Sequence, residues 1–263
     1  MKTSLIISHS VSFKAFLISA TVLGLAQIGT AQTTTWTGSA LDLNWSTAGN
    51  WSTVGGSTPP GPTDIVVFGA GAYPASTNTA GAVDSIINAN TTIGGLQYIN
   101  TSSSTSFHTT QINAGTTLTL NGLFAAGVAG QTTVAAMTGS GNFTVNNVTG
   151  NFNIGGGGIS TATVTVTLAN GTNTINAKTL SMSESGSNNG RPCTMNLGAG
   201  PTFINADNVN LGTGKGQATI IQWLDPTFTN GIVFRNTAGT GRATFLMDFT
   251  ARSCSSASGR HSS

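Results

Sequence analysis

Residues 165–187 and 194–216 of this chain read TVTLANGTNTINAKTLSMSESGS and TMNLGAGPTFINADNVNLGTGKG, and the two segments align without a gap. The matched pairs include Leu168 with Leu197, Ile175 with Ile204, and Asn176 with Asn205. The interval is constant at 29 residues (175 to 204). Similarity at a fixed interval is typical of repeat proteins in which each unit packs on its neighbours. We therefore predict that the two segments are consecutive coils, with Asn176 directly beside Asn205.

Each unit contains three runs in which apolar and small polar residues alternate, at 164–168, 173–177 and 179–183 in the first copy. A period of two predicts a β-strand with one buried face, and the Gly and Asn residues between the runs favour tight turns. Three short strands per unit predict one coil of a triangular parallel β-helix, with coils about 4.8 Å apart. The alternative is an antiparallel β-sandwich, whose short strands and turns produce a similar pattern.

The chain is almost uncharged, because Asp, Glu, Lys and Arg make up 6% of its 263 residues. Equivalent side chains of stacked coils lie about 5 Å apart, where like charges repel by about 1 kcal/mol even at the dielectric constant of water. Asn and Thr can instead hydrogen-bond along the stack. No Lys or Arg occurs between Lys14 and Lys178, so the chain lacks the basic stripe that binding to nucleic acid requires.

The first 31 residues have the features of a secretory signal peptide. Lys2 and Lys14 supply the positive region, residues 11–25 are mostly apolar, and Gly29-Thr30-Ala31 supplies the small residues before the cleavage site. The apolar stretch is too short for a stable membrane span. We therefore expect cleavage after Ala31, export, and no membrane span in the mature chain; the alternative is an uncleaved anchor.

The mature chain is predicted to have three parts. These are a Trp-containing N-terminal cap at 32–84, β-solenoid repeats at 85–249 and a disordered Ser-rich tail at 250–263. The two cysteines, Cys193 and Cys254, either pair in an oxidising compartment or remain thiols, and the sequence leaves both alternatives open.

Two sets of short motifs point to a known family. The N-terminal segment contains Trp36-Thr37-Gly38, Asn44-Trp45-Ser46, Asn50-Trp51-Ser52 and, at 62–68, PTDIVVF; the repeats contain NAGTTLTLNG at 113–122 and NTINA at 173–177. These stretches resemble autotransporter-associated β-strand repeat proteins, which are large exported bacterial proteins with solenoid passengers. The resemblance implies a right-handed β-helix at the cell surface and transfers no catalytic residue. The chain is shorter than usual members, which indicates a truncated or separately released form.

An enzymatic alternative rests on few ionisable residues. Acid–base catalysis requires two positioned groups, and the acidic residues of this chain show no pairing motif. His108 stands alone in a Ser/Thr-rich stretch and is interpreted as a solvated loop residue. A β-helix polysaccharide lyase or hydrolase, of the pectin lyase-like kind, would use Asp207, Lys215, Asp225 and Arg235, converging in one groove. The competing interpretation of Asp207 and Arg235 is a surface ion pair of little energetic value.

Trp36, Trp45 and Trp51 lie close together before the repeats. Exposed indole rings would form a sugar-stacking platform and hence a glycan-binding module, whereas buried rings would close the end of the solenoid core. Their position favours the cap. No zinc or calcium motif is present, so we expect neither metal nor cofactor.

Taken together, the repeat and the lack of catalytic groupings predict a secreted or cell-surface β-solenoid that acts as a scaffold, spacer or adhesin without catalytic activity. Its expected partners are surface glycans or other cell-surface proteins.

Overall fold

The computed structural model describes residues 31–40, 42–53, 59–69, 79–99, 105–128, 131–155, 163–183, 192–212, 219–223, 232–238 and 244–247. Several predictions fall outside the described residues. They concern the signal peptide up to residue 30, the tail at 250–263, Cys254, and the candidate catalytic residues Lys215 and Asp225.

The described part of the chain is almost entirely β-strand, with one short 3-10 helix at Ala48–Asn50. Its strands are β1 (Thr33–Trp36), β2 (Trp51–Thr53), β3 (Ile65–Gly69), β4 (Ser85–Ile87), β5 (Thr91–Ile93), β6 (Gly95–Ile99), β7 (Thr105–Ile112), β8 (Thr117–Leu120), β9 (Phe124–Ala126), β10 (Thr132–Thr138), β11 (Asn142–Ile154), β12 (Thr163–Thr167), β13 (Asn173–Met182), β14 (Cys193–Leu197), β15 (Thr202–Leu211), β16 (Thr219–Trp223), β17 (Ile232–Arg235) and β18 (Thr244–Met247). Thr, Val, Ile and Phe recur in these strands, as their fit to a pleated, half-buried surface favours. No helix within these residues is long and apolar enough to cross a membrane.

The strands form two sheets whose neighbouring strands come from successive turns of the chain. One sheet has six strands in the order β16-β14-β12-β10-β7-β4. The other has twelve, with a main path of β17-β15-β13-β11-β9-β6-β3-β1-β2. Among the strand pairs of the described residues, β1 with β2 is antiparallel and the others are parallel. The fold is therefore a parallel β-solenoid, as predicted, and the antiparallel β-sandwich is excluded. The solenoid has about 5 turns.

Consecutive coils lie in the 29-residue register that the sequence predicts. The pairing of β13 with β15 places Ile175 beside Ile204 and Asn176 beside Asn205. Leu168 and Leu197, which follow the paired runs of β12 and β14, are both buried. The second and third predicted strands of the unit form one strand, β13, whose pairing with β15 skips only Lys178.

Alternate residues of each strand point into one apolar core. In β12, Val164 and Val166 are buried while the threonines between them are partly exposed. The core continues from Trp36 near the N-terminus to Val209 on β15, and its largest side chains lie at the N-terminal end. Full burial of one such side chain stabilises the fold by about 1.5–3 kcal/mol, so the stack derives its stability mainly from this core.

The parallel ladder begins upstream of residue 85, where the repeats were predicted to start. β1 pairs in parallel with β3, and β3 pairs in parallel with β6, so residues of the predicted cap belong to the twelve-stranded sheet. The antiparallel strand β2 lies along the other edge of β1. It occupies backbone groups that would otherwise be exposed at a sheet edge.

One corner of the solenoid is built from stacked glycines. A Cβ atom added to Gly171 would overlap the carbonyl oxygen of Gly141, and one added to Gly200 would overlap the carbonyl oxygen of Gly171. The backbones of successive coils touch at this corner, so only glycine fits there. The corner holds neighbouring coils in register on either side of it.

Candidate functional site

Two columns of uncharged polar side chains run along the outside of the twelve-stranded sheet. The first column consists of threonines from four successive coils, and its register pairs are Thr92 with Thr119, Thr119 with Thr144, and Thr144 with Thr174. Their side chains alternate with buried core residues and are at least partly exposed. The column ends where Phe203 occupies the next position.

The second column is a ladder of asparagine side chains, two residues further along the same strands. Nδ2 of Asn176 donates to Oδ1 of Asn146 at 2.9 Å, and Nδ2 of Asn205 donates to Oδ1 of Asn176 at 2.7 Å. The predicted stacking of Asn176 and Asn205 is therefore present. Arg235 lies beside Asn205 on the next strand and ends the ladder.

We call the outward surface formed by these two columns the ladder face; its residues are Thr92, Thr119, Thr144, Thr174, Asn146, Asn176 and Asn205. Strands about 4.8 Å apart and alternate residues about 6.7 Å apart make it a regular two-dimensional array of hydroxyl and amide groups. Such groups donate and accept hydrogen bonds but do not titrate near neutral pH. The ladder face therefore offers hydrogen-bond donors and acceptors without charge, and it provides no acid or base.

A second outward ladder lies on the six-stranded sheet. Nδ2 of Asn196 donates to Oγ1 of Thr167 at 3.3 Å, and Nε2 of Gln222 donates to Oδ1 of Asn196 at 2.9 Å. Cross-coil hydrogen bonds between neutral side chains are thus a property of both sheets.

The candidate catalytic residues Asp207 and Arg235 lie on neighbouring coils, but the partner of Asp207 is a different residue. Its Oδ1 accepts hydrogen bonds from the backbone N–H of Thr237 at 3.1 Å and from the Thr237 hydroxyl at 2.7 Å. These hydrogen bonds, aided by the charge of Lys178, hold the pKa of Asp207 below its ordinary value. The carboxyl group is therefore ionised at neutral pH and is not a proton donor.

The three N-terminal tryptophans are buried. Trp36 is 0%, Trp45 1% and Trp51 6% exposed, and Nε1 of Trp51 donates to the carbonyl oxygen of Trp45 at 2.7 Å. The Trp36 and Trp51 rings meet edge to face at 4.8 Å, as do those of Trp45 and Trp51 at 5.1 Å. Sugar stacking requires an exposed ring face, so the structure gives no support to a glycan platform at these residues.

A polar network that the sequence pattern does not reveal lies buried beneath this aromatic layer. It consists of Asp84, Ser85, Tyr98, His108 and Thr110. Oγ of Ser85 lies 3.2 Å from Nε2 of His108 and 3.1 Å from Oγ1 of Thr110, which lies 3.3 Å from the hydroxyl of Tyr98. Nδ1 of His108 lies 3.8 Å from Oδ2 of Asp84.

Burial dominates the electrostatics of this network. It raises the pKa of Asp84 to about 7, although a hydrogen bond from the Thr109 amide acts in the opposite direction. Burial lowers the pKa of His108 and raises that of Tyr98. Each of these shifts favours the neutral form of its group.

Asp84, His108 and Ser85 are the residue types of an acid–base–nucleophile triad. However, Asp84 and Ser85 are 0% exposed, so no substrate reaches the Ser85 hydroxyl. We therefore interpret the network as a structural feature of the core.

The interpretation of His108 as a solvated loop residue is wrong. His108 lies on β7, is 4% exposed, and stacks on the ring of Phe68 at 3.6 Å. The signal that could have placed it is its spacing from Ile112, because His108, Thr110 and Ile112 lie at every second position of the strand and all three are buried, as is Thr109. The surrounding Ser and Thr residues masked this pattern.

Cys193 is buried on β14, and burial raises the pKa of its thiol. No group of three His, Cys, Asp or Glu residues within the described ranges is placed to hold a metal ion.

Comparison of the chain with family models, with curated proteins and with solved structures finds no match.

Proposed function

We propose that this protein is a secreted or cell-surface β-solenoid that acts as a scaffold, spacer or adhesin and catalyses no reaction. The observation that carries the proposal is the ladder face, where neutral hydroxyl and amide groups recur on successive coils in register. A regular, uncharged array of this kind suits a contact surface better than an acid–base site.

A spacer role is supported by the way the coils are joined. Each coil pairs with the next through parallel backbone ladders, a shared core and side-chain hydrogen bonds such as Asn205 to Asn176. In a stack of this kind each coil contacts only its neighbours, so length increases by one coil spacing per repeat. Such a stack holds anything attached at one end at a fixed distance from the other end.

The proposed location rests on the N-terminal sequence and on the family resemblance. The charged, apolar and small-residue segments at 1–31 are those of a secretory signal peptide. The motifs shared with autotransporter-associated β-strand repeat proteins support a bacterial surface protein with a right-handed coil and a Trp-containing cap. Partners suited to the ladder face are neutral surface glycans or polar surfaces of other proteins, because it offers hydrogen bonds without charge.

An adhesion assay tests the contact surface. The wild-type mature chain on beads is compared with Thr174→Lys, which places a charge on the ladder face, for retention on a panel of neutral glycans and bacterial cell surfaces. Thr165→Lys is the matched control, because Thr165 also faces outward and is partly exposed but lies on the six-stranded sheet. We expect several-fold lower retention for Thr174→Lys alone. Equal retention by both variants contradicts a role for the ladder face.

Catalysis is tested separately, by incubating the chain with a panel of polysaccharides and measuring new chain ends. No turnover is expected. Turnover by the wild-type chain that Asp207→Asn abolishes would overturn the non-catalytic part of the proposal and support a β-helix carbohydrate-active enzyme instead.

A further inference from the structure

Asp84 sits in surroundings that suit a neutral carboxyl group. The residue is 0% exposed, and its Oδ2 accepts a hydrogen bond from the backbone N–H of Thr109 at 2.7 Å. Its other oxygen, Oδ1, is buried without a donor. A buried carboxylate is energetically unfavourable when one of its oxygens accepts no hydrogen bond, whereas the protonated acid carries no charge. The geometry therefore favours Asp84 as a carboxylic acid.

One arrangement of the neighbouring hydrogen bonds satisfies the Tyr98 hydroxyl and leaves His108 neutral. The buried Tyr98 hydroxyl lies 3.3 Å from Thr110 Oγ1, and the arrangement that gives the tyrosine hydrogen an acceptor has Tyr98 donate to Thr110. Thr110 then donates to Ser85, and Ser85 donates to Nε2 of His108. In this arrangement Nε2 is an acceptor, and the ring hydrogen lies on Nδ1, 3.8 Å from Oδ2 of Asp84.

Protonation of His108 would place a hydrogen on Nε2 as well and would oppose this direction. The whole chain of hydroxyls would have to reverse, and the Tyr98 hydroxyl would lose its acceptor. A proton taken up by the pair therefore goes to Asp84. The ionisable groups that interact with Asp84 are His108 on β7 and Tyr98 on β6. The segment that pairs with the other side of β4 through Asn44 and Ile86 carries Asp42, whose side chain is exposed.

Ionisation of Asp84 would disturb several contacts at once. The backbone N–H of Asp84 donates to the carbonyl oxygen of Thr109 at 2.8 Å, and the next residue, Ser85, begins β4. Movement of the carboxylate towards water would therefore separate Ser85 from His108. The His108 ring stacks on Phe68, whose ring lies 6.3 Å from Trp36, so the disturbance reaches the aromatic layer.

We propose that Asp84 is a proton-controlled switch in the N-terminal coils of the solenoid. While the carboxyl group carries a proton, Asp84 stays buried, and the contacts that join β4, β7 and the aromatic layer are kept. When the proton leaves, these elements loosen.

The direction of the pH dependence follows from linkage. The pKa of Asp84 is about 7 in the folded chain, compared with an ordinary value of 3.8. A group whose pKa is raised on folding contributes stability that is fully present below its ordinary pKa and is lost as the pH rises to the folded pKa. The ratio of molecules in which these contacts are broken to molecules in which they are kept is therefore expected to rise by up to about tenfold per pH unit between about pH 4 and 7. Above about pH 7 the ratio levels off.

Infrared titration of the wild-type chain tests the protonation directly. We expect the absorption band of a protonated carboxyl group to persist at pH 6 and to disappear by pH 8, and to be missing at pH 6 in Asp84→Asn. A wild-type chain with no protonated carboxyl at pH 6 overturns the proposal. This measurement does not require the variant to fold.

Thermal unfolding followed by tryptophan fluorescence tests the mechanical consequence. The wild-type melting temperature relative to that of Asp84→Asn should fall between pH 4 and 7, because the amide keeps the acceptor for Thr109 but does not ionise. The control is Asp42→Asn, since Asp42 is exposed in the same N-terminal region and its pKa is lowered. Parallel pH profiles for wild type and Asp84→Asn overturn the switch, even if the infrared band is present.

Discussion

The amide group of asparagine can donate to one neighbour and accept from another, so it forms continuous ladders when coils lie in register. Asn176 does both, since it donates to Asn146 and accepts from Asn205. Each such hydrogen bond contributes about 0.5–1.5 kcal/mol after competition with water is considered. The ladder therefore adds to the cohesion between coils without adding apolar surface.

Replacement of Asn176 by Leu removes both hydrogen bonds while keeping a side chain of similar size. We expect the free energy of unfolding to fall by about 1–2 kcal/mol, which urea unfolding can measure. Thr174→Ala is the control, because Thr174 lies on the same strand and face, outside the amide ladder. If both variants lose the same stability, the ladder hydrogen bonds contribute nothing beyond ordinary contact.

At the scale of the strand and the turn, the repeating corner restricts the sequence more tightly than the strands do. The strand positions accept Thr, Asn or Phe on the outside, as Thr174 and Phe203 show at equivalent places. Gly171 has no such freedom, because its Cβ would overlap backbone oxygens of the preceding coil. The corner therefore requires glycine for steric reasons, independently of any turn with positive φ.

Replacement of Gly171 by Ala is expected to destabilise the fold by about 1–3 kcal/mol, since the backbones of two coils must separate to admit one methyl group. Thr172→Ala changes the neighbouring, partly exposed residue and should change stability by less than about 0.5 kcal/mol. Chemical denaturation of both variants is the measurement. A Gly171→Ala chain as stable as wild type would show that the corner is looser than its geometry indicates.

The elements show which structural features can be predicted from the sequence. The pairing of Ile175 with Ile204 was predictable, because a repeat carries its register in the spacing of its residues. The continuity of β13 across Lys178 was not, because the buried apolar positions shift there from Ile175 and Ala177 to Leu180 and Met182, and such a break in the alternation predicts two strands. The meeting of Asp84 with His108 was also missed, because the two residues belong to different coils and do not recur in the repeat.

For the whole molecule, the scarcity of charge and the regular stacking are two aspects of one property. A parallel solenoid places equivalent outward side chains beside each other, so a charge repeated on successive coils repels its own copies. Lys178 and Asp207 occupy equivalent places of adjacent coils but carry opposite charges, so they attract and do not repel each other. Composition is therefore a consequence of the fold.

A double-mutant cycle on the ladder face measures this repulsion. Thr144 and Thr174 lie beside each other on adjacent coils, so Thr144→Asp and Thr174→Asp together should cost about 1 kcal/mol more than the two single changes added. The coupling should shrink in 1 M salt, where the screening length is about 3 Å, and should vanish when the carboxylates are protonated. Thr144→Asp with Thr165→Asp, on different sheets, should show no coupling beyond about 0.5 kcal/mol. An additive, salt-independent result for the adjacent pair would mean that repulsion between coils does not explain the uncharged surface.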